Sequence, residues 1–165
     1  MSIRSIIQRA TCALAALFVL GMAAPAKAAG PYVDIWDALP TWQQQDGWLD
    51  TAYWLKVNFN DICGDTFCEG EYPNLEALSY RCSVDSASGT VGECVFIFAA
   101  SQETVSPSDG RIIAEPRNWQ CATPLAPGTT AAELAQALSN TNPLFTPLPR
   151  TGKTIYDSLT DHCLY

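Results

Sequence analysis

The sequence predicts an α+β domain: an N-terminal helix packed on a three- to four-stranded antiparallel meander, then two short C-terminal helices, the whole stapled by disulfides. Three observations predict it. Apolar residues recur every three or four positions over 48–62 and every second position over much of 78–98. Two helix-capping patterns stand in the last third of the chain, Thr130 with Glu133 and Thr154 with Asp157. Six cysteines follow a segment that reads as an export signal.

That segment fixes the context. Arg4 and Arg9 precede an apolar run from Ala10 to Ala24, Pro25 breaks it, and Ala26-Lys27-Ala28 offers small residues on either side of a lysine. Charge, apolar run and small-residue site in this order are the signature of a cleavable secretory signal. A membrane anchor needs roughly 20 apolar residues, and this run is shorter. Residues 1–28 are therefore expected to be removed, with no membrane span after cleavage. Cys12 goes with them. The destination is the periplasm or the medium.

Cleavage changes the charge. The whole chain carries 9 Lys+Arg against 17 Asp+Glu, a net −8. Residues 1–28 contain Arg4, Arg9 and Lys27 and no acidic residue, so −8 becomes −11 for residues 29–165. That balance excludes nucleic acid and anionic membrane surfaces as partners, because both repel an acidic protein. It favours encounter with a basic exported protein.

Residues 29–47 read as an irregular lead with Pro31, Pro40 and Gly47, and the single domain as 48–165. Thr41 with Gln44 can start one helical turn inside the lead. The main helix follows, with Trp48, Ala52, Leu55, Phe59 and Ile62 on one stripe, Asp46 as its cap and Gly64 as its end. After an acidic loop the period changes to two. One hairpin register sets Leu78 by Phe98, Tyr80 by Phe96 and Cys82 by Cys94, all on one face, and a one-residue slip destroys that pattern. Ser106 to Gly110 is a turn. A third strand covers 111–114 and resumes over 118–122, with Pro116 at a sheet edge or a turn. A helix over 131–139, an extended proline-rich strap over 142–149 and a last short helix complete the chain.

Cys63, Cys68, Cys82, Cys94, Cys121 and Cys163 form three disulfides in an oxidising compartment. Cys82 and Cys94 meet in the hairpin register, with a bridge from one of them to the 63–68 loop left open. A zinc site from Cys63, Cys68, His162 and Cys163 lacks the second close pair that such sites use. No metal or other cofactor is expected.

Two groups of residues carry candidate chemistry. Asp61, Asp65, Glu69 and Glu71 crowd around the Cys63–Cys68 loop. Asp65, Glu69 and Glu71 are candidates for a catalytic carboxylate pair acting on a glycan; all four acids suit calcium or charged contact with a binding partner, and a solvated loop needs none of these. Trp36, Trp42 and Trp54 are candidate contact residues, because exposed tryptophan marks protein or sugar interfaces. His162 has no nucleophile motif beside it. The function read from these features is an exported small acidic binding protein, an inhibitor or protective partner of another exported protein. A small glycan-active hydrolase and a structural or surface-associated envelope protein are the alternatives.

Overall fold

The computed structural model describes residues 30–164, His162 by its backbone alone. The expected signal segment, Cys12 included, lies outside the described residues. So does the side chain of His162, and with it that part of the zinc reading. The chain is α+β: four α-helices and a four-stranded antiparallel sheet, with three disulfide-bonded cysteine pairs, among the described residues.

Strand β1 is Tyr32–Asp34, followed by helical turn α1 at Ile35–Ala38 and the long helix α2 at Trp42–Cys63. The sheet continues with β2 at Glu76–Asp85, β3 at Val91–Val105 and β4 at Ile112–Ala122. Helix α3 spans Ala131–Leu138, a single 3-10 turn Pro143–Phe145, and α4 Ile155–His162. Strand order in the sheet is the chain order, β1 to β4.

Within the segment read as an irregular lead, 29–47, the described residues hold β1, α1 and the start of α2. The cap of α2 is Thr41, whose hydroxyl accepts from the Gln44 N–H at 3.4 Å. Asp46, expected as the cap, lies inside the helix and is exposed. Gly47 costs about 1 kcal/mol in a helix interior, and burial of Trp48, Thr51 and Leu55 just beyond it offsets that. Thr51 also donates to the Leu138 carbonyl at 3.3 Å, and Asn58 to that of Thr141 at 3.1 Å. These two bonds give the carbonyls at and beyond the α3 terminus the partners that a helix end needs.

Rings join helix and sheet. Phe59 of α2 lies 4.7 Å from Phe98, 6.4 Å from Phe96 and 5.8 Å from Phe67, centroid to centroid. Trp48 lies 5.6 Å from Tyr80. Such stacked, tilted and edge-on pairs contribute beyond their buried area. Burial pushes the Tyr80 phenol well above its ordinary range, and a 3.1 Å hydrogen bond to Thr123 partly opposes this.

The hairpin register agrees with the sequence at Tyr80↔Phe96 and Cys82↔Cys94 and departs from it at Leu78. Ala77, not Leu78, faces Phe98, because a bulge between Ala77 and Ser79 leaves Leu78 as the extra residue. Leu78 therefore points out of the core. Cys82 and Cys94 are direct partners with Cα atoms 4.0 Å apart, and Cys63 pairs with Cys68, so no bridge runs between hairpin and loop.

β4 runs unbroken through Pro116. The Ser106 N–H donates to the Arg111 carbonyl and the Thr123 N–H to that of Cys94. Both bonds fall in one phase of the β3–β4 register, which puts Ser101↔Pro116 at a non-hydrogen-bonded pair. Pro116 then turns its missing N–H toward the free edge, where a sheet tolerates proline. Beyond Glu76, where β2 stops, β3 and β4 continue alone as a two-stranded arm. Asn74 ties its base by accepting from the Ser101 N–H at 3.0 Å. The strap over 142–149 is not wholly extended, since Pro143 starts the 3-10 turn.

Candidate functional site

The four acidic residues of the 61–71 region lie in and around the loop closed by the Cys63–Cys68 bridge, whose Cα atoms lie 5.0 Å apart. Asp61 stands on the last turn of α2, Asp65 in the turn after it, and Glu69 and Glu71 beyond Cys68. All four are exposed, and none of their carboxylates makes a hydrogen bond or ion pair among the described residues. The hollow next to this loop, lined by Tyr72 and Trp119, takes Glu71 and none of the other three. No three His, Cys, Asp or Glu side chains among the described residues are arranged to hold a metal ion.

The tryptophans sit differently. Trp42 is 69 % exposed on the first turn of α2. At 100° per residue, positions 42, 49 and 53 share one face of a helix, and positions 48, 51, 55 and 59 share the opposite one. The second set is the buried face. The first set is Trp42, Leu49 (54 % exposed) and Tyr53 (60 % exposed). Helix α2 thus carries apolar stripes on both sides, one inward and one facing solvent. Asp46 and Asp50 flank the solvent stripe, both exposed.

The stripe turns a corner at Leu49 into a cleft of about 260 Å³ between α2 and β2. Its walls include Trp36, Trp48, Leu49, Leu78 and Tyr80. Trp36 is half-buried there, set in place by its N–H bond to Asp34 at 3.0 Å, which starts α1. Asp34 also pairs with Arg81 at 3.3 Å, and both line the same cleft. Leu78 reaches it only because of the bulge, and it is 56 % exposed. Re-aiming one side chain is what a bulge does near a working surface. On the far side, Trp54 is half-buried, edge-on to Tyr53 at 5.3 Å, in a shallow hollow with Asp50, Thr51 and Asn140.

Trp36, Trp42 and Trp54 therefore lie on three adjoining parts of one surface: cleft, stripe and far hollow. Leu49, Tyr53 and Leu78 belong to it as well and escaped the sequence reading. For Leu49 and Tyr53 the signal was available, since both repeat with Trp42 on a helical period once the helix is started at Thr41. For Leu78 none was, because the bulge leaves no trace in the pattern. An apolar cleft with a few convergent polar groups is the usual form of a binding site. Among the described residues no helix is long and apolar enough to cross a membrane, so the stripe is not part of a helical span. No family model, curated protein or solved structure matches the chain.

Proposed function

We propose that the chain is an exported binding protein that docks a basic partner protein on the outer face of α2 and the adjoining cleft. The observation that carries this reading is the solvent-facing stripe of Trp42, Leu49 and Tyr53 with Asp46 and Asp50 beside it. Large aromatics left in water on a rigid helix are the groups that dominate interface energies when covered. A guanidinium or ammonium laid on Trp42 or Tyr53 gains about 0.5–2 kcal/mol, and the neighbouring carboxylates hold the same cation. The net charge of −8, or −11 without residues 1–28, steers a basic partner toward contact. Export accords with three disulfides and with the signal pattern of residues 1–28. Inhibition or protection of an exported enzyme is the form such docking takes in this reading. A carboxylate-pair hydrolase needs two acids across one cleft, and the hollow at the acidic loop offers Glu71 alone.

The test uses residues 29–165 as bait in an exported fraction of the source cells, with W42A/Y53A and D46N/D50N as paired baits. All four positions are exposed, so folding measured by circular dichroism should be unchanged. The expected result is a partner retained by the parent, lost with W42A/Y53A, and weakened by D46N/D50N or by high salt. A partner held equally by the parent and W42A/Y53A refutes the assignment.

A further inference from the structure

The described residues contain six cationic side chains, and four of them are ion-paired: Lys56, Arg81, Arg111 and Arg150. Arg117 is not. It projects from β4 onto two rings instead. Its guanidinium carbon lies 4.9 Å from the Trp119 ring centroid and 5.6 Å from that of Tyr72. The two rings brace each other edge-on at 5.1 Å. A cation over ring faces is held without spending its N–H groups in hydrogen bonds, so the planar fork of guanidinium donors stays available to an acceptor. That fork has no carboxylate or carbonyl acceptor among the described residues. Beside it lies a hollow of about 290 Å³. Leu75 and Leu164 line it on the apolar side, and exposed Glu71 lines it as well.

We infer that this hollow is a second binding site, separate from the α2 face, for a small organic monocarboxylate with an apolar body. The carboxylate takes the fork of Arg117 in bidentate fashion, the geometry for which guanidinium is matched. The arginine is already held by Trp119 and Tyr72, so little side-chain entropy is lost on binding. The apolar body lies against Leu75 and Leu164. Glu71 sets the charge limit. Its carboxylate beside the site repels dianions and inorganic phosphate more than a single carboxylate, because like charges at short range are costly.

The experiment is nitrogen-edited NMR of residues 29–165, following the Trp119 indole N–H during titration with isocaproate, acetate and inorganic phosphate. Isocaproate is expected to give saturable shifts, acetate weaker binding, and phosphate the weakest. R117Q should weaken isocaproate about tenfold or more, the value of a charge-assisted pair. R117K keeps the charge but loses the fork and the stack, and should fall between. E71Q should strengthen it. Arg117 and Glu71 are exposed, so the variants test the site and not the fold. No saturable shift with isocaproate, equal binding by R117Q, or phosphate binding as tightly as isocaproate would each overturn the assignment.

Discussion

The three disulfides close loops of very different length, and their removal should cost stability in that order. Sequence separations are 5 for Cys63–Cys68, 12 for Cys82–Cys94 and 42 for Cys121–Cys163. Loop-closure entropy in the unfolded chain then gives about 2, 3 and 4 kcal/mol respectively. For a domain of this size about 4 °C of melting temperature goes with each kcal/mol. Paired cysteine-to-alanine variants avoid burying an unmatched hydroxyl at Cys82, Cys94 and Cys121, which are almost fully buried. Urea unfolding gives the free energy, and its slope reports whether the variant still unfolds as one unit. Loss of Cys121–Cys163 frees α4 from β4, so the slope must be checked there first. If C63A/C68A costs as much as C121A/C163A at an unchanged slope, loop length is not what these bridges act through. The three costs together are comparable with the 5–15 kcal/mol or so that holds a typical domain. A fully reduced chain should therefore sit near unfolding, and three disulfides of this weight are compatible with an exported protein.

Three other outcomes are expected. F59A removes the ring that meets Phe67, Phe96 and Phe98, and should cost about 3–5 kcal/mol in urea unfolding; a loss below about 1 would mean that Phe59 is not central. Asp85 is held below the usual carboxylate range first by the Ser88 N–H, Asp109 by the Ser106 hydroxyl, and Glu133 by the Thr130 N–H. Depressed carboxylates stabilise above their unfolded pKa of about 4, and that stability is lost as pH falls through the folded values. Buried Tyr80 has the opposite sign: its contribution is complete below about pH 10 and is lost above it. Melting temperature should thus fall at both ends of a pH series, and Y80F should remove the Tyr80 contribution to the alkaline fall. Finally, P116T restores an N–H on the outer edge of β4 and should promote self-association by sedimentation at high salt, where the acidic chains repel less. A P116T protein as monomeric as the parent would show that this proline does not guard the edge.

The sequence carried most where the chemistry is local. Both capping boxes stand as read, with Thr130 accepting from the Glu133 N–H and Thr154 from that of Asp157. Burying Tyr80, Phe96, Cys82 and Cys94 together admits one register, and the hairpin takes it at those pairs. It carried least where tertiary structure overrides local preference. Gly47 reads as a break, yet α2 passes through it because Trp48 and Thr51 are buried just after it. Three-residue β1 is too short to show a period, and it docks because Gly92 leaves room for the Tyr32 ring, which a Cβ there would meet at 2.9 Å. Pro116 reads as a strand break, and the phase of the ladder makes it harmless. The Arg117 shelf was invisible, since Tyr72 lies in a loop and Trp119 in a strand, and only the fold brings both under the guanidinium.

The two proposed recognition surfaces should answer to the same net charge in opposite ways, and this separates them experimentally. At α2 the long-range field and the local carboxylates act together: both attract a basic partner, and salt screens both. Docking there should weaken as salt rises. At Arg117 the long-range field of an acidic protein opposes an anion, while the attraction comes from one guanidinium at contact distance. Screening removes the distant repulsion before it touches the short contact, because a Debye length of about 10 Å at 0.1 M exceeds the length of a hydrogen bond. Carboxylate binding should therefore strengthen on first addition of an inert salt and weaken only at higher concentrations. A shared response to salt at both places would mean that net charge, and not the local arrangement of Trp42, Tyr53 and Arg117, governs what this protein binds.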